Sequence, residues 1–340
     1  MSPRRAQWLS RRTFLGTAAG LAGLVAFGGT RPARAQSRVK IGYIPLLSAG
    51  PLFLAEERGY LREAGLDAEL VRFNSGAEMV VGLGTGELAA GYGGASPGLL
   101  NAWGRGVRIL WVADGSRYVP GYGNTQVVVR TDLVDALQSP RDLRGRRVGM
   151  SLVGSVIDYV MRNLLEQHGL TLNDIDAVRL PSADVNAGLA GGSLDVAGVG
   201  EPFAALAEQN GFARRWLSGE QIVPGMQVAG LLVSGPASSD RAQIVSLVAA
   251  YLRGVRDFLP GQVSDPAVIE VLNRWTGVAP DVIRRAVPTY ADPNGTLDIE
   301  DVRRQQAFWL RHGVIDRAVP IEEYVDLTFA EAAAQMLGRV

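Results

Sequence analysis

The sequence predicts an α/β protein built from two duplicated lobes, with a cleft between them and two chain crossings at a hinge. Three observations carry this. The segment Gly82-Leu83-Gly84-Thr85-Gly86-Glu87-Leu88-Ala89-Ala90-Gly91-Tyr92-Gly93-Gly94 recurs 106 residues later as Gly188-Leu189-Ala190-Gly191-Gly192-Ser193-Leu194-Asp195-Val196-Ala197-Gly198-Val199-Gly200. Upstream the echo continues in the same order. Ile41-Gly42-Tyr43 answers to Val148-Gly149-Met150, Ala64-Gly65-Leu66 to His168-Gly169-Leu170, and Phe73-Asn74-Ser75 to Leu180-Pro181-Ser182. A period this long is not a solenoid repeat and describes two copies of one unit. Finally, short β-rich runs alternate with helical patterns, which implies βαβ units and a largely parallel sheet in each copy.

The N-terminus comes first. Residues 1–35 read as an export signal: Arg4 and Arg5, then an apolar run from Phe14 to Phe27, then the small-residue site Ala33-Arg34-Ala35. That run is too short to cross about 30 Å of hydrocarbon. Its entry, Ser10-Arg11-Arg12-Thr13-Phe14-Leu15, resembles the twin-arginine signal that exports folded proteins, with Gly16 where that signal often has lysine. Removing it takes away six arginines and no acid, leaving 28 basic against 34 acidic residues, a net of −6. No basic stripe remains, so nucleic acid is excluded as a partner. The remaining 305 residues (36–340) are enough for two lobes. The chain has no cysteine, which rules out disulfides, thiolate metal sites, a cysteine nucleophile and a lipidated N-terminal cysteine. The mature protein is expected free in the periplasm, as a monomer.

In the first copy, Val39–Tyr43 is a strand, and Pro51 fits the first turn of a helix that Gly65 ends. Leu70–Phe73 is a strand, and Asn74-Ser75 caps the helix that follows. Leu88–Tyr92 and Val107–Ala113 are strands, separated by the cap Ser96-Pro97. In the second copy, Arg147–Met150, Val178–Leu180 and Asp195–Gly198 are strands. The intervening helices open at Gly154-Ser155, Asp184 and Pro202. Gln221–Gly230 reads as a return connection, and from Ser239 onward the pattern is almost wholly helical. Lobe 1 therefore takes 38–126 and 228–340, lobe 2 takes 127–227, and the chain crosses near Gln126 and Gln227.

Each strand runs into a helix N-terminus, at Ser48–Pro51, Asn74–Ala77, Ser96-Pro97, Ser151–Ser155 and Glu201-Pro202. In open α/β sheets, ligands bind outside the carboxyl ends of strands. Free N–H groups and the helix dipole favour an anion there. Gly94-Ala95-Ser96-Pro97-Gly98 matches the nucleophile-elbow pattern, but the elbow needs an N–H after the serine and Pro97 has none. Capping explains Ser96. Gly82–Gly86 lacks the phosphate-loop lysine and closes a helix rather than opening one. No acidic or histidine cluster has metal-ligand spacing, and no cofactor is expected. His168 and His312 each precede glycine and read as helix ends. Trp111, Trp216, Trp275 and Trp309 read as core. Tyr43, Tyr118, Tyr122, Tyr159 and Phe203 lie near cleft-facing loops, where stacking on a flat ligand and plain packing both remain open.

Many of these blocks together resemble one family. Ile41-Gly42-Tyr43, Pro51-Leu52-Phe53-Leu54-Ala55, Gly59-Tyr60-Leu61, Ser75-Gly76-Ala77-Glu78, Gly86-Glu87-Leu88, Asp142–Gly149, Gly192-Ser193-Leu194-Asp195-Val196 and Glu201-Pro202-Phe203 are similar to the solute-binding proteins of ABC importers for sulfonates, taurine, nitrate and thiamine precursors. The likeness covers about residues 38–260. It implies a type II periplasmic binding protein fold that closes on a small-molecule ligand and delivers it to an ABC permease and its ATPase, without catalysis. It also implies ligand contacts at Ser48-Ala49-Gly50, Ser75-Gly76, Ser96, Asn124, Ser151, Gly154-Ser155 and Glu201, to which Tyr43 and Tyr159 are added as stacking candidates. Lys40 is the only lysine, so Arg117 is the candidate partner for an anionic ligand. Glu201 would repel an anion but suit an amine or a pyrimidine. Two other readings share the fold: an enzyme similar to those of thiamine-pyrimidine or menaquinone synthesis, and a subunit presenting ligand to a membrane receptor. The first meets a chain without the cysteine-rich iron motif and with an export signal.

Overall fold

The computed structural model describes residues 37–74 and 76–340. The segment expected to be an export signal, residues 1–35, and Ser75 lie outside the described residues. Among the described residues, ten strands form two five-stranded sheets. β1 (Ser37–Tyr43), β2 (Leu66–Arg72), β3 (Ala90–Gly93) and β4 (Ile109–Arg117) belong to sheet A. β5 (Thr125–Arg130), β6 (Arg147–Met150), β7 (Asp176–Arg179), β8 (Val196–Gly200) and β9 (Ala213–Ser218) make sheet B, and β10 (Gln227–Ser234) returns to sheet A. The orders are β2-β1-β3-β10-β4 and β7-β6-β8-β5-β9, one topology written twice. In each sheet three parallel strands adjoin an antiparallel strand that arrives directly after the chain has left the other sheet.

The sequence repeat has a packing cause. Leu88 N–H closes on Gly82 O at 3.0 Å, and Leu194 N–H on Gly188 O at 3.1 Å. Each leucine then fills the space above two glycines. A Cβ on Gly82 or Gly188 would lie 2.9 or 2.7 Å from that leucine, and one on Gly42 or Gly149 at 3.2 or 2.9 Å. A side chain at any of the four would have to displace that leucine. The bonds that follow are also paired. Phe73 N–H reaches Tyr43 O at 2.8 Å, as Leu180 N–H reaches Met150 O at 3.0 Å. Ala89 N–H reaches Lys40 O and Asp195 N–H reaches Arg147 O, both at 2.9 Å.

Three elements differ from the sequence reading. The helix expected from Pro51 to Ala64 is two, Gly50–Glu57 and Tyr60–Glu63, broken at Gly59, whose φ of 75° is left-handed. The expected return connection holds a short helix, Gly219–Ile222, and β10, which is buried along its whole length inside sheet A. A strand buried on both faces has no alternation to betray it. β5, buried along all but its last residue, was hidden in the same way, and the edge strand β9 also lay outside the sequence reading. After β10 come the helices Arg241–Phe258, Pro266–Thr276, Ile299–Arg311 and Thr328–Leu337. The first of them lays Phe258 directly against Gly50. Among the described residues, no helix is long and apolar enough to cross a membrane.

Candidate functional site

A cavity of about 180 Å³ lies where the carboxyl ends of all six parallel strands converge. Ile44, Pro45, Leu46 and Ser48 follow β1, Arg72 ends β2, with Asn74 and Gly76 beyond it, and Gly93 ends β3, with Gly94–Ser96 beyond it. From sheet B, Ser151–Ile157 follow β6, Pro181–Ala183 follow β7, and Gly200 and Glu201 close β8. Asn124, Thr125, Met226, Val228 and Ala229 supply the floor from the two crossings, and Gln305 and Trp309 come from helix Ile299–Arg311. This is the crevice that the topology of an open α/β sheet reserves for ligands.

Of the residues expected at the site, Ser48, Gly76, Ser96, Asn124, Ser151, Gly154, Ser155, Tyr159 and Glu201 line this cavity. Tyr43, Ala49, Gly50 and Arg117 do not. Tyr43 is buried edge-on to Phe53 (5.2 Å) and Trp275 (5.4 Å), and Ala49 and Gly50 are buried at the start of helix Gly50–Glu57. Arg117 is already engaged, with Asp292 at 3.3 Å and its guanidinium 5.1 Å from the Tyr290 ring centre. Phe203 lines the cavity, whereas Tyr118 and Tyr122 do not. Trp309, read as core, is both 1% exposed and part of the wall.

The helix ends are set by local chemistry. Ser96 Oγ accepts from Leu99 N–H at 3.3 Å, and Ser155 Oγ from Asp158 N–H at 3.1 Å. Asp158, wholly buried, fixes the loop in front of its helix. Its Oδ2 accepts from Gly154 N–H (3.0 Å) and Arg162 (3.0 Å), and its Oδ1 from Arg179 (2.6 Å). Arg179 also holds Ser151 O at 2.8 Å. The spacing Ser155-x-x-Asp158 is a capping signal that identifies this residue from sequence. Gln305 and Trp309 have no such local signal. Among the described residues, four helices of eight residues or more, Gly76–Thr85, Pro97–Gly104, Val156–Gln167 and Ser182–Ala190, begin at the cavity with N–H groups free of intrahelical partners.

Among the described residues, Arg72 and Glu201 are the charged side chains of the lining. Arg72 is exposed. Glu201 is buried, and burial pushes its carboxyl upward against the opposing pull of Arg215. Arg215 binds its Oε1 at 2.7 Å, Val287 N–H adds a bond to the same atom at 3.2 Å, and Ala205 N–H takes Oε2 at 3.1 Å. Its charge is thus consumed within the protein. Burial likewise pushes the Tyr159 hydroxyl up to about 12, so it remains neutral. Among the described residues, no group of three or more histidines and acids is placed to hold a metal.

Two α/β lobes of one topology around a single cleft define the periplasmic-binding-protein fold. The chain belongs to the NMT1-like family, whose model matches residues 33–228. It is 27% identical over 206 residues to a candidate binding protein of Brucella abortus, 59% of each chain. It is 31% identical over 183 residues to the bicarbonate transport ATP-binding protein CmpC of Synechococcus elongatus, 50% of this chain and 28% of that one. The chain thus spans about three-fifths, or less, of the length of these curated relatives. Among solved structures, the alkanesulfonate-binding protein SsuA of Xanthomonas axonopodis pv. citri, bound to MOPS, superposes with a TM-score of 0.70 at 22% identity, covering 85% of this chain and 98% of that one. The nitrate-binding protein NrtA of Synechocystis PCC 6803 gives 0.72 at 15%, covering 88% and 89%. The desulfurization enzyme DszB, in complex with biphenyl-2-sulfinic acid, gives 0.65 at 19%, covering 88% and 99%. At these identities the likeness is one of fold.

Proposed function

We propose that this chain is the solute-capturing component of an ABC importer. Exported through the twin-arginine translocase, it works in the periplasm as a monomer. It closes its lobes on a small sulfonate-like, nitrate-like or pyrimidine-like molecule and hands it to a permease and its ATPase. The observation that carries this is the cavity itself, lined from both sheets and crossed by two connecting segments, 118–124 and 219–226. Ligand held by both lobes favours the closed form by its differential affinity for that form.

Binding without catalysis fits the lining. The serine hydroxyls at Ser96 and Ser155 are engaged as helix caps, and neither histidine lines the cavity. The DszB likeness keeps an enzyme in view, but the solved structure of that enzyme carries a cysteine-to-serine substitution, and this chain has no cysteine to offer. A thermal-shift panel of alkane- and arylsulfonates, taurine, nitrate, bicarbonate, aromatic carboxylates and aminopyrimidines tests the reading. Ligand at 100 times its Kd adds about 2.7 kcal/mol, a shift of several degrees. One responding class with no product formed supports capture. Turnover of any responding compound would favour the enzyme.

A further inference from the structure

Asn124 ends the segment that carries the chain from sheet A to sheet B, and it lines the cavity while only 7% exposed. Its amide is held in a buried polar chain. Nδ2 donates to Thr289 Oγ1 at 3.2 Å, and that hydroxyl lies 2.7 Å from Ser116 Oγ. Gln262 fixes Thr289 in turn, accepting from its N–H at 2.7 Å and donating to its carbonyl at 2.9 Å. The Asn124 backbone is pinned as well, its carbonyl accepting from Glu201 N–H at 2.9 Å. The side-chain oxygen Oδ1 stands apart: it is buried and has no hydrogen-bond partner within the protein. Leaving a buried acceptor unpaired costs about 1–3 kcal/mol, and folded proteins rarely do so without a use for it.

The geometry points to Asn124 as the residue that reads the ligand: its Oδ1 accepts a hydrogen bond from an N–H or O–H of the captured solute. The cleft therefore selects a molecule with a donor, of the amide or ureide kind, over a donor-free anion. This assignment rests on the capture function proposed above and narrows it. Of the two charged side chains that line the cavity among the described residues, Glu201 is paired with Arg215 and Arg72 is exposed, so the assignment rests on the buried Asn124 oxygen and not on charge. The helix N-termini supply N–H donors for an acceptor atom of the ligand, and Asn124 supplies the complementary acceptor. A site built to pair with a donor discriminates strongly against the analogue lacking it, because its own buried group is then left unsatisfied.

The test is a set of matched probes measured by calorimetry on the purified protein: benzamide against N,N-dimethylbenzamide, hydantoin against 1,3-dimethylhydantoin, with benzenesulfonate and nitrate as donor-free anions. The donor-bearing member of each pair is expected to bind about ten-fold more tightly. Asn124→Leu should erase that preference by weakening the donor arm alone. Asn124→Asp, which keeps the acceptor and the contact with Thr289, should hold the donor arm within about three-fold of the parent. Tighter binding of the donor-free arm, or a donor preference that survives Asn124→Leu, would overturn the assignment while leaving capture intact. Silence from both arms, with a responder in the thermal-shift panel, would overturn the assignment alone, and silence in both experiments would remove the capture reading as well.

Discussion

Gly154 rests directly on Pro97. The glycine, at a left-handed φ of 80°, belongs to the loop after β6 in sheet B, and the proline opens the helix after β3 in sheet A. A Cβ on Gly154 would lie 2.5 Å from Pro97 Cδ and 2.6 Å from its Cγ. Two helix-opening turns from different lobes thus meet across the cavity at the one residue type small enough to allow it.

Gly154→Ala should therefore act as a wedge. The added methyl meets the rigid proline ring, and its backbone strain costs about 1 kcal/mol. We expect ligand affinity to fall about ten-fold, with a melting temperature lower by a few degrees. Pro97→Ala in the same background should restore part of the affinity by making room. Titration calorimetry on the two variants separates the wedge from the strain, because only the wedge is relieved by the second change.

Asp158→Asn should be costly. It strips the carboxylate from two guanidiniums, Arg162 and Arg179, whose side chains are only 13% and 24% exposed. Breaking a buried pair by removing one partner costs about 3–5 kcal/mol, reduced here by the partial exposure of the arginines. Urea denaturation should register a loss of about 2–3 kcal/mol. Arg179, which also holds Ser151 O, would lose its carboxylate partner, so the loop Ser151–Ser155 should be less firmly held and binding should weaken in parallel.

Stability should fall as the pH rises toward neutrality, through Asp114. Burial pushes this carboxyl up to about 7, against the hydrogen bonds from Asp292 N–H and Gln227. The folded protein then keeps a proton that the unfolded chain has already released above the ordinary aspartate value of 3.8. The stabilising contribution is complete below that value and is lost as pH rises through about 7, at a slope of up to about 1.4 kcal/mol per pH unit. Denaturation at pH 5 and pH 8 should show the loss in the parent and not in Asp114→Asn. An unchanged slope in that variant would assign the effect to other groups.

Trp309 should report binding. It is the tryptophan of the cavity wall, with Tyr159 at 5.5 Å and Arg162 at 6.0 Å. Ligand should alter the intrinsic fluorescence, and Trp309→Phe should abolish that change while leaving much of the affinity. A signal that persists in the variant would place the responding tryptophan elsewhere.

How much of this was legible in the sequence follows from what each signal is made of. The duplicated topology was written in Gly82, Leu88, Gly188 and Leu194, because close packing of a helix on a sheet demands those residue types in both copies. The helix openings at Ser96 and Ser155 were legible because caps are local. β10 was not, since Gln227–Ser234 is buried on both faces and carries no period. Gly50 and Ala49 resembled ligand-loop residues, yet their smallness serves Phe258 and the buried start of a helix. Glu201 announced a charge, but only the fold brings Arg215 to cancel it. Gln305 and Trp309 reach the cleft through a helix far along the chain, a long-range contact that no local pattern encodes.

Closure on ligand is the central claim, and a spin-label distance measurement tests it most directly. The chain has no cysteine, so Val81→Cys on helix Gly76–Thr85 and Asn173→Cys in the turn before β7 give one label on each lobe, both at exposed positions. A saturating compound from the responding class should collapse a longer or broader distance distribution into a single shorter one. A distribution unchanged by bound ligand would contradict capture by lobe closure.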